Sequence, residues 1–204
     1  MRLLELFSGT GSVRKAVGDN FDEIVSIDIL QKFSPTECCD ILKWDYKKYS
    51  TGYFDAIWAS PHCTEYSAIL YSRPNRIRDL SGANQIVQKT IEIIDYFKPD
   101  KWFIENPQTG LLKNQEFMLG IPFADVDYCH FGFMYRKRTR IWTNVNYDGK
   151  LCHKDCEHCI DGRHKFCIGN NNYKEYWNKG NEPRLYQRYA IPPLLIQTLF
   201  SASS

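Results

Sequence analysis

Apolar residues along this chain fall into two kinds of pattern. Short β-type runs predict strands at Arg2–Phe7, Glu23–Ile29, Phe54–Ala59, Lys101–Glu105, Ala124–His130 and Arg140–Val145. Between two of them, Asn84–Phe97 carries Ile86, Thr90, Ile91, Ile94 and Phe97 at helical spacing, with Gln88, Lys89, Glu92 and Asp95 on the other face. Pro99 ends that helix. Strand-like runs alternating with helical patterns argue for an α/β fold with a parallel sheet and crossovers. From Asn146 to Pro183 the periodicity fades, Gly, Asn, Cys and Lys accumulate, and Gly169-Asn170-Asn171-Asn172 is a plain loop signal. This stretch reads as a small irregular insert. After it, Ile191-Pro192-Pro193 leads into a short apolar helix, Leu194–Phe200, that packs back on the sheet. There is no internal repeat or low-complexity tract.

The chain's 204 residues suffice for one domain with a small appendage and a proper buried core. Its 43% hydrophobic and 25% charged residues are ordinary for a soluble globular protein. A net charge of +2 does not announce a nucleic-acid binder, so local clusters must carry that argument. No apolar stretch approaches the roughly 20 residues that span a bilayer, so no membrane partner is expected. Met1–Phe7 lacks a secretory signal and runs straight into a motif, which makes an intracellular location the expectation. There, eight cysteines point to metal or catalysis rather than to a disulfide framework.

The first strand runs into Ser8-Gly9-Thr10-Gly11-Ser12 and then a helix-like Val13–Val17. Glycines let the backbone approach a ligand, and a helix N-terminus offers free amides. Asp28, about 20 residues on at the end of the second strand, suits a ribose hydroxyl pair. Asp45, in Trp44-Asp45-Tyr46, stands where a third strand should end and could receive an adenine amino group. Gly-x-Gly without a third glycine also describes an ordinary strand-to-helix turn. Its place at the start of the chain, ahead of two acids, favours a nucleotide-type cofactor.

Two further strands each deliver a reactive group. Ser60-Pro61-His62-Cys63-Thr64-Glu65-Tyr66-Ser67 follows one, and Glu105-Asn106-Pro107 closes the other. A lone cysteine is usually a buried structural thiol, and a strand-end glutamate can simply pair with a base. Together at a sheet edge, a thiolate can add to an electron-poor ring while a carboxylic acid protonates it.

The ordered set Phe7-Ser8-Gly9-Thr10-Gly11, Pro61–Ser67, Glu105-Asn106-Pro107, Arg136-Lys137-Arg138-Thr139-Arg140 and Arg188-Tyr189-Ala190-Ile191-Pro192-Pro193 resembles the DNA cytosine-5 methyltransferase family. The resemblance implies a Rossmann-like, S-adenosylmethionine-dependent methyltransferase fold and a DNA partner. It implies that cytosine is flipped out of the stack, attacked at carbon 6 by Cys63 and protonated at ring nitrogen 3 by Glu105. Carbon 5 then takes the methyl group. Arg138 and Arg140 match the family's two-arginine motif and should orient Glu105 and contact the base or its phosphate. The cofactor pocket would be built from Phe7, Ser8, Gly9, Thr10, Gly11, Ser12, Asp28, Ile29, Asp45 and Pro61, and completed by Ala190 and Ile191. Asn106 would fix the strand end. His62, Thr64, Arg136 and Pro107 depart from the family's usual proline, glutamine, glutamine and valine, which touches loop geometry and base contacts rather than the reacting groups.

The loop after Cys63 holds Ser67, Arg73, Arg76 and Arg78, expected to close over the nucleic acid through phosphate contacts, with a surface charge cluster as the plainer alternative. The insert carries Cys152, Cys156, Cys159 and Cys167 at Cys-x3-Cys-x2-Cys-x7-Cys spacing, with histidines available as substitutes. Four such ligands suit a closed tetrahedral zinc site; free thiols and an iron–sulfur cluster are the alternatives. Residues 146–183 occupy the family's target-recognition position and are short enough that a metal staple is reasonable. Lys154, Arg163, His164 and Lys165 would then touch DNA. The expected organisation is a catalytic domain at 1–145, the insert at 146–183, and 184–204 completing the catalytic domain. Two rival readings are an RNA (tRNA) cytosine-5 methyltransferase and a catalytically silent DNA-binding partner.

Overall fold

The computed structural model describes residues 1–67, 70, 75–166 and 189–203; Arg73 and Cys167 lie outside them. Seven strands form one sheet: β1 (Arg2–Leu6), β2 (Glu23–Asp28), β3 (Glu37–Cys38), β4 (Ala56–Ala59), β5 (Lys101–Pro107), β6 (Phe123–Asp127) and β7 (Arg138–Thr143). Their order across the sheet is β3-β2-β1-β4-β5-β7-β6. β1 pairs in parallel with β2 and β4, β4 with β5, and β2 with β3. The expected parallel sheet is thus present but not complete, because β7 runs antiparallel to both β5 and β6. Parallel strands point their carboxyl ends to one edge, where open α/β sheets bind ligands. Leu6, Asp28, Ala59 and Glu105 all end there.

Strands covered on both faces read as unbroken apolar runs. Leu3, Leu4 and Leu6 are fully buried, and the pleat sends them to opposite layers. Leu4, Leu6, Ile57 and Ile104 pack under α2 (Leu80–Phe97) through Val87, Ile93, Ile94 and Phe97. Leu3, Trp58 and Phe103 pack against α1 (Ser12–Val17) and α3 (Pro193–Ser201) through Val13, Val17, Leu195 and Leu199. Three layers result. No helix among the described residues is long and apolar enough to cross a membrane.

Helix α2 begins at Leu80, earlier than its apolar spacing indicates, because Asp79 caps it by accepting from the Gly82 amide at 2.9 Å. Its end matches the proline signal: Lys98 turns left-handed at φ 50° just before Pro99. β3 is too short for any periodicity to show. The run expected as a strand to His130 stops at Asp127, where Tyr128–Phe131 winds into a 3-10 turn closed by Gly132 at φ 89°. The described part of the insert holds a small hairpin, β8 (Cys159–Ile160) and β9 (Arg163–His164).

Phe97 is fully buried and meets Phe54 edge-on, centroids 4.9 Å apart, at the centre of one layer. Replacing Phe97 by Ala should cost about 3–5 kcal/mol, read as a lower urea midpoint at unchanged slope. A loss under about 1 kcal/mol would contradict this packing.

Candidate active site

The first turn is built over the ends of β1 and β2. Phe7 leaves the strand at φ 58°, a left-handed conformation unusual for a non-glycine residue, and Gly9 and Gly11 follow at φ 46° and 68°. The turn is held by the Ser8 amide on Ile27 O at 3.1 Å, Gly11 on Ser8 O at 2.8 Å, and Gly9 on Asp28 Oδ2 at 2.8 Å. Asp28 Oδ1 accepts from Leu30 at 2.8 Å. Asp28 is therefore first a brace for the backbone, and each oxygen keeps a further acceptor direction for a hydroxyl. From the far end of the chain, the Ile191 amide donates to Ser12 Oγ at 3.2 Å, with Ala190 half-buried beside it.

A cleft of about 230 Å³ opens here, with Ser8, Gly9 and Thr10 on one wall and Cys63, Glu105 and Lys137 among the others. A smaller recess shares Phe7, Asp28 and His62 with it and is walled by Ile27, Ile29 and Ile41. The acid at that recess is Asp40, not Asp45. The third strand ends at Cys38, so Asp40 follows it, whereas Asp45 is exposed at the head of a separate 3-10 turn.

Cys63 is half-buried and borders the cleft rather than lying inside the core. Its loop is fastened on several sides. The Asn106 side-chain amide donates to Pro61 O at 2.9 Å, tying the end of β5 to the cysteine loop. The Ser60 amide reaches Leu6 O at 3.3 Å, and the fully buried Tyr66 donates to Asn84 on α2 at 2.8 Å. Arg76 pairs with the Glu65 carboxylate, and Arg78 donates to Glu65 O and, at 3.1 Å, to Ser67 O. These two guanidiniums and Ser67 are engaged in closing the loop on itself, where the sequence suggested nucleic-acid contacts.

Glu105 is buried, and its Oε1 meets the Tyr128 hydroxyl at 3.2 Å and Lys137 Nζ at 3.6 Å. Burial and the adjoining Glu105 charge push the Tyr128 phenol well above its usual range, so it stays an O–H donor. The two expected arginines stand elsewhere. Arg140 forks onto Asp125 at 2.7 and 2.8 Å and stacks over Phe123, while Arg138 meets Asp127 at 3.4 Å. Strand parity explains the difference. Opposite residues share a face, and Glu105 lies across from Ile141, whereas Arg140 lies across from Asn106 and Asp125. Lys137, in step with Thr139 and Ile141, takes the Glu105 side. Neither Lys137 nor Tyr128 stood out in the sequence; the alternation of Thr139, Ile141 and Thr143 through β7 was the available signal.

Glu5, on the cleft wall, was also overlooked. It is buried with Oε1 accepting from the Val13 amide at 3.3 Å, while Oε2 and the nearby Ser8 hydroxyl have no partner among the described residues. Burial pushes its carboxyl up from 4.5 to about 7, against the opposing pull of Arg14 and the α1 amides. In the insert, Cys152, Cys156 and Cys159 converge, away from the cleft, on His164. His164 thus turns inward rather than toward a partner, while Lys154, Arg163 and Lys165 are exposed.

Compared with known proteins, no family model matches the chain. It is 34% identical to the probable DNA (cytosine-5)-methyltransferase of Frog virus 3 (isolate Goorha), over 98% of each chain. Its fold is similar to that of the Entamoeba histolytica methyltransferase EhMeth, at a TM-score of 0.54 and 18% identity over 72% of this chain and 53% of that one. S. pombe Dnmt2 gives 0.51 at 15% identity over 74% and 52%. The chain spans about half the length of those two structures.

With its pKa raised in the folded state, Glu5 holds a proton there that the unfolded chain has released. Stability should therefore fall as pH rises from 4.5 toward 7, by up to roughly 3 kcal/mol. Glu5→Gln should flatten that slope in urea titrations across the window. Parallel slopes for the two proteins would remove Glu5 as the source.

Proposed function

The chain belongs to the DNA (cytosine-5)-methyltransferase family, and we propose that it methylates carbon 5 of a flipped-out cytosine in DNA through a transient bond to Cys63. The observation that carries this reading is that Cys63 and Glu105, distant in sequence, border one cleft beside the glycine turn.

The residues at that turn fit S-adenosylmethionine, which supplies the methyl group when bound. Phe7, Ile27, Ile29 and Ile41 offer an apolar slot for a purine. Asp28 and the Ser8 hydroxyl, which has no partner among the described residues, offer groups for sugar or amino acid polar atoms, with Asp40 at the slot's edge. Gly9, Thr10, Gly11, Ser12 and Pro61 frame the approach, and Ile191 with Ala190 closes it.

In the reaction, the Cys63 sulfur bonds to carbon 6 of the ring. The displaced double-bond electrons move toward ring nitrogen 3, which Glu105 protonates, so that negative charge does not accumulate. Carbon 5 becomes electron-rich and accepts the methyl group. Its proton then leaves to solvent, the ring double bond re-forms as the thiolate departs from carbon 6, and ring nitrogen 3 returns its proton to Glu105. Lys137 and Tyr128 both address Oε1 of Glu105, which fixes the carboxyl plane and directs its other oxygen to the base. Arg138 and Arg140, paired with Asp127 and Asp125, serve instead to stiffen the antiparallel end of the sheet.

We read 1–145 as the catalytic domain, 146–183 as the target-recognition insert and 184–204 as the segment that closes the cofactor site. Lys154, Arg163 and Lys165 supply phosphate contacts from the insert, so binding should weaken with salt. Arg73 in the cysteine loop and Cys167 in the insert lie outside the described residues.

Duplex DNA carrying 5-fluorocytosine, incubated with the protein and S-adenosylmethionine, should give a denaturation-stable adduct that Cys63→Ala cannot form. Glu105→Gln should slow methylation by about 10²–10⁴-fold. Adduct formation on tRNA but not on DNA would move the substrate to RNA. DNA binding with no adduct would mark a silent partner.

A further inference from the structure

Methyl transfer leaves one group of reactive side chains unused. The Sγ atoms of Cys152, Cys156 and Cys159 lie 3.4, 3.3 and 3.4 Å from His164 Nε2, and Cys156 Sγ lies 3.6 Å from Cys159 Sγ. That sulfur separation is far beyond the roughly 2 Å of a disulfide. Zinc bonds of about 2.3 Å to sulfur and 2.0–2.1 Å to nitrogen put tetrahedral ligands about 3.6–3.8 Å apart. We propose that Cys152, Cys156, Cys159 and His164 bind one zinc ion, with His164 in the place that spacing alone gave to Cys167.

The local backbone explains the choice of histidine. Asp161-Gly162 joins β8 to β9 with both residues at positive φ, 50° and 71°, the conformation of a type I′ hairpin turn. That two-residue turn sets the register so that Cys159 pairs directly with His164. Alternation then sends Arg163 and Lys165 to the solvent side while His164 faces the thiols. On the other arm, Lys154 adopts φ 71°, and its amide donates to Cys152 Sγ at 3.3 Å, a contact that supports thiolate. The Cys159 amide closes the short spacing onto Cys156 O at 3.0 Å.

Four protein donors fill the coordination sphere, so the ion is structural and leaves no open position for chemistry. It also has a route to the active site. The Cys152 amide donates to Asp127 Oδ2 at 2.9 Å, and the same oxygen takes Arg136 at 3.0 Å and Arg138 at 3.4 Å. These arginines flank Lys137, the cation at Glu105. A fifth thiol, the buried Cys129 in the 3-10 turn after β6, has its sulfur within 4.8 Å of the ligand atoms of Cys152, Cys156 and His164. Cys159, whose Sγ lies 3.4 Å from His164 Nε2 and 3.6 Å from Cys156 Sγ, takes the fourth position instead.

The test is a metal measurement on the full chain, independent of methyl transfer. Elemental mass spectrometry should find one zinc per protein after dialysis in metal-free buffer. Cobalt substitution should give the intense visible bands of tetrahedral thiolate coordination. His164→Ala and Cys156→Ser should weaken zinc retention against a chelator at least tenfold, with far-ultraviolet circular dichroism reporting whether each variant is folded. His164→Cys should keep the metal and shift the sulfur-to-cobalt band, which a histidine serving only the fold would not do. Cys167→Ser and Cys129→Ser should retain zinc like the parent. A parent protein without zinc, a His164→Ala variant with parental retention, or loss on changing Cys167 or Cys129 would each overturn the ligand set.

Discussion

The parallel register of β1, β2, β4 and β5 is the constraint on which the site depends. A parallel ladder leaves no choice about where strand ends go, so four stretches far apart in sequence reach one edge. Burial on both faces then makes a one-residue slip prohibitive, because it would send buried leucines and Glu5 to the wrong layers. The glycine turn, Asp28, the cysteine loop and Glu105 are therefore brought together by the core itself. None of them needs to find the others by contact.

Side chains at the strand ends convert that coarse placement into a fixed arrangement. Asp28 spends one oxygen on the glycine turn and the other on Leu30, so the turn is braced from within the chain. Asn106, fully buried, uses its amide to hold Pro61 O and so sets the distance between the loop of Cys63 and the strand of Glu105. Rigid placement of reacting groups is where much of an enzyme's advantage over solution chemistry arises. Glu5 adds a cost in the same wall: a carboxyl pushed up to about 7 by burial is retained beside the turn at the expense of stability above its ordinary range.

How much of this was legible in the sequence follows from the scale of each signal. The main strands and α2 were visible because unbroken apolar runs and helical spacing extend over many residues. Cys63, Glu105 and Asn106 were visible because each ends or closely follows such a run. Asp40 lines the recess where Asp45 was expected, because β3 has two residues and leaves no period to count. Arg138 and Arg140, expected beside Glu105, meet Asp127 and Asp125 because the motif names residue types, while the pleat decides which face they occupy. Reading β7 by its buried Thr139, Ile141 and Thr143 puts Lys137 on the Glu105 side. His164 is brought to the thiols by the Asp161-Gly162 turn, a two-residue signal for register rather than for chemistry.

Asp127 shows why so small an insert can still matter to the cleft. A buried carboxylate is tolerated only when nearby charges and donors offset the loss of water, and here one oxygen faces two guanidiniums and a backbone amide. Two of these partners bracket Lys137 and the third belongs to Cys152. Removing any one leaves the others around an under-compensated charge, so the three are held as a unit rather than as separate contacts. The segment that carries Cys152 is thus tied to the antiparallel end of the sheet through one backbone amide. The placement of the residues that flank Lys137 and the anchoring of Cys152 both involve the same buried charge.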